Sequence, residues 1–165
     1  MKIYLAGSLR NKDMETYRDQ LQAALPDHEI FMDWYAAGEH ADDIWKDYWV
    51  KQGVSYQEAL GRANSRNTFE FDKKNIDSSD IVILAAPAGK SAHLELGYAL
   101  GSGKVGIYFL PKEEDIRWDV MLNFATEVCV GIEELVEAVG VHLSLLAAKR
   151  GWVEVREVPV YDYDY

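Results

Sequence analysis

Residues 87–104 read PAGKSAHLELGYALGSGK and directly follow the apolar run IVILAA. A loop built on Pro87 and Gly89 leads there into a helix pattern, and one acid, Glu95, interrupts it between Leu94 and Leu96. At about 100° per residue, Ala92, Leu96, Ala99 and Leu100 share one face, and Leu94 and Tyr98 make a second apolar flank. Glu95 falls between Tyr98 and Ala99, within the surface that should pack on a strand. Two readings fit. One is an ordinary first-turn glutamate, solvated and favoured by the helix dipole. The other is an ionised carboxylate in a crevice, its pKa held down by that dipole. An acid of the second kind is what glycosyl chemistry uses as a nucleophile at an anomeric carbon.

Such an acid needs a scaffold that brings loops beside it. Ile3 to Ala6 reads as a short strand ending in Gly7 and Ser8, and Asp13 to Leu25 as a helix stopped by Pro26. Glu29 to Trp34, Ile81 to Ala86 and Val105 to Leu110 read as further strands. Val128 to Val130 is a short fifth, followed by a helix from Ile132 to Lys149. The long connection between strands two and three holds Ser55-Tyr56-Gln57-Glu58, a helix-starting capping box. This alternation implies one α/β domain over residues 1–150, with 151–165 as a tail. Its form is an open parallel sheet of about five strands with helices on both faces, Rossmann- or flavodoxin-like.

In such sheets ligands bind beyond the carboxyl ends of the strands. That rule sets Gly7-Ser8-Leu9-Arg10, after strand one, beside Pro87 to Ser91, after strand three. Both loops contain glycine and precede helix N-termini, whose free N–H groups favour anions and sugar oxygens. Gly7, Ser8, Arg10, Gly89 and Ser91 are therefore candidate substrate contacts. Neither loop is a Walker P-loop or a GxGxxG fingerprint. Asp33 and Trp34 end strand two where a base can stack, and a buried tryptophan is the alternative.

Composition removes other classes. The 165 residues, 48% hydrophobic, suffice for one cored domain. Seventeen Lys and Arg against 28 Asp and Glu give a net charge of -11, which repels phosphate polymers and anionic membranes. No run approaches the roughly 20 apolar residues of a membrane span. MKIYLAGS enters a strand pattern without a signal peptide's charged and apolar regions, so a cytoplasmic location is expected. The single cysteine, Cys129, reads as a small buried hydrophobe. GEHADD, with His40, Asp42 and Asp43, lacks regular ligand spacing and reads as an acidic loop rather than a metal site. His93 reads as a helix-face or capping residue.

The chain resembles the nucleoside 2-deoxyribosyltransferase family and its sister branch, the 2'-deoxynucleoside 5'-monophosphate N-glycosidases. The resemblance runs from Lys2 to about Ala138 and is carried by KIYLAGS, FDKKNIDSSDIVI, HLELGYALGSGK and DVMLNFA, in that order. It implies that Glu95 is the nucleophile, attacking C1' of a deoxyribonucleoside and displacing the base. Tyr4 then stands where a strand-one hydroxyl orients that glutamate, a core tyrosine being the alternative. Asp72 stands where an acid helps protonate the departing base or hold the sugar, a solvated helix acid beside Lys73 and Lys74 being the alternative. Asn123 falls where the transferases place an asparagine from a neighbouring subunit against the sugar 5'-hydroxyl, a loop-capping residue being the alternative.

The two branches leave mixed signatures. GSLR resembles the monophosphate branch, where a Ser-x-Arg element contacts the 5'-phosphate and where Lys90 and Ser91 would add to the pocket. Asn123 resembles the transferases. The expected activity is exchange of purine or pyrimidine bases on 2'-deoxyribose, through a covalent deoxyribosyl-glutamate and with retention. The alternatives are a monophosphate N-glycosidase and a non-catalytic nucleotide sensor. No metal or organic cofactor is implied. The expected partners are a deoxyribonucleoside or its 5'-monophosphate, a free nucleobase, and further copies of the chain in a dimer to hexamer with shared sites. Trp118, Met121, Leu122 and Phe124 around Asn123 have the composition of an interface core, a buried loop being the alternative.

Overall fold

A computed structural model of the chain describes residues 1–112 and 118–156, with side chains as far as residue 151. Among these residues the strands β1 (Lys2–Ala6), β2 (Glu29–Phe31), β3 (Ile81–Ala85), β4 (Val105–Leu110) and β5 (Glu127–Val130) form one sheet. Every pairing is parallel and the order is β2-β1-β3-β4-β5. The helices are α1 (Met14–Ala24), α2 (Ala41–Lys51), α3 (Tyr56–Leu60), α4 (Ala63–Asp77), α5 (Lys90–Gly101) and α6 (Ile132–Arg156). This is the α/β architecture that the alternating pattern implies. Its strand order reverses at β1 and β3, so a crevice opens beyond their carboxyl ends.

Side chains alternate across the sheet and sort the helices into two layers. Ile3 and Leu5 of β1 face α1 and α6, burying Met14, Leu21, Leu135 and Val139 together with Ile83, Phe109 and Cys129. Tyr4 and Ala6 face the other way, onto Ile76 of α4 and Ala92, Leu96 and Ala99 of α5. Each fully buried Ile or Leu contributes roughly 1.5–3 kcal/mol, so the two inner strands hold the layers together. A Cβ on Gly106 of β4 would stand 2.7 Å from Leu100 and 2.9 Å from Leu96. Its absence lets α5 settle close to the sheet.

Several expectations are corrected. Strand two stops at Phe31, and Asp33–Ala37 form a 3-10 helix. The cause is local: β2 is an edge strand whose last pair is Tyr4 with Phe31. Beyond that pair the Trp34 indole N–H turns inward and donates to the Leu5 carbonyl at 2.9 Å. The GEHADD stretch is not a loop throughout. His40 caps α2, and Asp42 and Asp43 occupy its first turn, where the dipole favours carboxylates. The Ser55–Glu58 capping box forms with both of its hydrogen bonds at the start of α3. Helix α6 runs past residue 150 to Arg156, and residues 157–165 of the expected tail lie outside the described residues. No helix among the described residues is long and apolar enough to cross a membrane.

Candidate active site

The side chain of Tyr4 is wholly buried on the face covered by α4 and α5. Those helices touch each other, and α5 also lies on β1, β3 and β4. Glu95 comes from α5 and Asp72 from α4, and both lie near enough to Tyr4 to act on it by charge. Burial first, then the charges of Glu95 and Asp72, raise the phenol far above its ordinary range. The Tyr4 hydroxyl and Asp72 Oδ1 are buried with no hydrogen-bond partner among the described residues. Leaving such groups unpaired costs about 1–3 kcal/mol each, which a fold tolerates where function uses them.

The electrostatics of the acid pair reverse one expectation. Glu95 is not held down by the helix dipole. Burial, and after it the charge of Asp72, push it from 4.5 up to about 8. Burial alone pushes Asp72 up to about 6. Helix α5 begins at Lys90, so Glu95 lies in its second turn, beyond the free N–H groups of the first. Desolvation and a like charge therefore outweigh the dipole. The second apolar flank is also corrected: Leu94 is 75% exposed, and the Tyr98 hydroxyl donates to Asp77 at 2.7 Å. Glu95 thus borders the buried stripe of α5 rather than splitting it.

A cleft of about 830 Å³ opens beside these three groups and is bordered by Glu95 and Asp72. Gly7, Ser8 and Arg10 line it from the loop after β1, and Asp33 and Trp34 from the turn after β2. Gly89, Lys90 and Ser91 line it at the start of α5. That volume lies within the range of small-ligand sites, roughly 300–1,000 Å³. The loop after β1 runs close over α1. A Cβ on Gly7 would fall 2.5 Å from the sulfur of buried Met14. Ser8 Oγ accepts the Arg10 N–H at 3.2 Å. The Arg10 guanidinium pairs with Asp43 of α2 at 2.8 Å, with both side chains more than half exposed. Gly89 caps α5, and the His93 ring nitrogen Nδ1 lies 2.7 Å from its carbonyl oxygen.

Asn123 is not brought to this cleft. It lies exposed in the 3-10 turn Val120–Phe124, and its amide donates to the Val120 carbonyl at 2.8 Å. Met121, Leu122 and Phe124 line a second cavity of about 560 Å³, together with Pro87, His93 and Leu96. Conversely, sequence reasoning passed over Asn67, Thr68 and Phe71 of α4, which line the main cleft beside Asp72. Helical spacing held the signal, since Thr68 precedes Asp72 by one turn. Among the described residues, no group of three His, Cys, Asp or Glu side chains is placed to hold a metal ion.

No family model and no curated protein matches the chain. Solved structures do. A conserved protein from Enterococcus faecalis V583 aligns with a TM-score of 0.56 and 13% identity, over 83% of this chain and 95% of that one. The Clostridium botulinum CMP N-glycosidase BcmB aligns with a TM-score of 0.49 and 13% identity, over 85% of this chain and 99% of that one. At 13% identity the first of these likenesses speaks for the fold alone.

Proposed function

We propose that the protein is a nucleoside 2-deoxyribosyltransferase, in which Glu95 forms a covalent deoxyribosyl ester. The observation that carries this reading is that Glu95 and Asp72 line one strand-end cleft, near enough to act by charge on a buried, unpartnered Tyr4 hydroxyl. The Glu95 carboxylate attacks C1' while the C1'–N bond breaks and a base ring nitrogen takes the proton of Asp72. The oxocarbenium-like state between is stabilised by the adjacent carboxylate. In this reading the Tyr4 hydroxyl, unpartnered among the described residues, donates to the Glu95 carboxylate once that group ionises in the substrate complex, and fixes its aim. A second base then attacks C1' from the vacated face, gives its proton to Asp72 and releases Glu95. Two inversions give net retention.

The charge of the cleft supports an uncharged nucleoside over a monophosphate. Five acidic side chains line it (Asp33, Glu39, Asp42, Asp72 and Glu95), the last two sharing one proton near neutrality, against two cations, Arg10 and Lys90. Arg10 already spends its guanidinium on Asp43. In this reading Asn123 serves the 5'-hydroxyl of a neighbouring copy, and the working unit is a homo-oligomer.

Chromatography of deoxyadenosine incubated with free cytosine tests the reaction, and deoxycytidine and adenine are the expected products. Incubation with a 2'-fluorinated nucleoside should add a sugar mass to a peptide containing Glu95. Hydrolysis of deoxynucleoside monophosphates at a rate indifferent to added base would replace the transferase with an N-glycosidase.

A further inference from the structure

The cleft has two ends. The loops Gly7–Arg10 and Gly89–Ser91, beyond β1 and β3, close one of them. The other is walled by α4 and the turn after β2, and Phe71 of α4 packs there on Phe31 at the end of β2. Asn67, Thr68, Phe71 and Asp72 form two adjacent rows on one face of α4. Because α4 descends into β3, Asn67 and Thr68 stand one turn, about 5.4 Å, closer to the mouth than Phe71 and Asp72. A nucleoside with C1' at Glu95 and its linking nitrogen near Asp72 directs its base along α4. The far edge of that base then reaches the level of Asn67.

The side chains there differ in what they can offer. The Phe71 ring rests against Phe31 at 5.9 Å between centroids, and Phe31 in turn stacks on Tyr4 at 5.4 Å. Phe71 nonetheless stays 47% exposed, a ring braced from behind with apolar surface left uncovered. The Thr68 hydroxyl is committed to the Asn64 carbonyl at 3.1 Å. The Asn67 side-chain amide has no partner among the described residues. Asp33, in the turn after β2, offers acceptors only.

We propose that Asn67, Phe71 and Asp33 form the base subsite, and that it selects bases bearing an exocyclic amine, adenine over hypoxanthine. The proposal rests on reading the cleft as a nucleoside site. Phe71 supplies a stacking face that accepts any base. The Asn67 amide pairs one acceptor with the amine and one donor with N7 of adenine, the match asparagine makes with adenine in nucleic-acid recognition, where hypoxanthine offers two acceptors. Asp33 takes a second amine hydrogen, whereas a 6-oxo group would bring an acceptor against an acceptor. A site built to bond a donor discriminates against an analogue that lacks it.

The test is calorimetric titration of the Glu95→Gln protein with deoxyadenosine and with deoxyinosine, repeated with Asn67→Ala or Phe71→Ala added. Deoxyadenosine should bind about tenfold more tightly than deoxyinosine, and Asn67→Ala should bring the two affinities together. Phe71→Ala should weaken both by a similar factor, on the order of tenfold, as loss of a stacking face does. Equal affinities before the Asn67 change, a preference that survives it, or no binding of either nucleoside would overturn the proposal. Base exchange by the wild type without this selectivity would sink the subsite alone. Selective binding without any turnover would sink the transferase and leave the subsite standing.

Discussion

Asp72 and Glu95, carried by neighbouring helices, lie close enough for the charge of one to raise the pKa of the other over the buried Tyr4. With Asp72 pushed up to about 6 and Glu95 up to about 8, the pair holds one proton between those values. Those values put the proton mainly on Glu95, so the proposed reaction runs through the minor arrangement in which Asp72 carries it and Glu95 is ionised. Below the lower value both acids are protonated and the nucleophile is lost. Above the upper value both are ionised and the departing base finds no proton. The profile of kcat/KM should therefore be a bell with limbs near 6 and 8, belonging to the pair rather than to either residue. Asp72→Asn should abolish the alkaline limb and slow poorly activated bases most. A flat profile over that range would sink the acid–nucleophile assignment.

Stability should run against activity at the same residue. Glu95 has a folded pKa of about 8 against an ordinary 4.5, so the folded state binds its proton more tightly. Its contribution is fully present below 4.5 and is lost as the pH rises towards 8. Glutamine does not titrate and avoids that loss. Glu95→Gln should thus be inactive, yet gain on the wild type in thermal unfolding as the pH rises, by about 1 kcal/mol or more above pH 8, some 2–4 °C. A variant that gains nothing between pH 5 and 9 would contradict the raised pKa of this half-buried acid.

How far this site could be read in the sequence varies by residue. β4 is found at the expected Val105–Leu110, because an apolar run buried on both faces and stopped by Pro111 leaves little choice. Glu95 declared itself as an acid out of place on an apolar helix. The sign of its pKa shift did not, since that depends on burial and on Asp72, which only the packing of α4 beside α5 brings near. Strand two misled for a similar reason: its apolar pattern runs on to Trp34, but its hydrogen-bonding partner β1 pairs only as far as Phe31. Arg10 read as a substrate contact, and only the fold of α2 supplies the Asp43 that pairs with it.

Tyr4 offers a separate test of the orienting role. Tyr4→Phe removes one hydroxyl that bonds to nothing among the described residues and keeps the ring stacked on Phe31. Turnover should fall by about tenfold, the worth of one orienting hydrogen bond. Stability should hold or rise, because an unpaired buried hydroxyl is lost. A variant with full activity would remove Tyr4 from the mechanism.

The Arg10–Asp43 pair makes the choice of substrate testable. Both side chains are largely exposed, so breaking the pair should change stability by less than about 1 kcal/mol. Its effect on specificity should be larger. Asp43→Ala frees the guanidinium and removes an anion beside the cleft. Turnover of deoxynucleoside monophosphates should then rise relative to nucleosides, and Arg10→Ala in the same protein should cancel the gain. If Arg10→Ala alone abolishes monophosphate turnover by an otherwise wild-type enzyme, the loop binds phosphate and the N-glycosidase reading takes over.

Asn123 carries the last prediction, that active sites are completed across an interface. It stands apart from the cleft of its own chain, so any contact with the sugar must come from another copy. The surface around it suits such a contact: Trp118 is 89% exposed, Met121 60% and Phe124 78%. Aromatic and methionine side chains of this kind are enriched in interface cores. Closed symmetry would give every site the same borrowed residue. Neither Glu95→Ala nor Asn123→Ala protein should be active alone, and mixing them should restore part of the activity after subunit exchange. The recovered sites would combine an intact Glu95 from one copy with an intact Asn123 from another. Light scattering on the wild type provides the control, and a fully active monomer would end the shared-site reading.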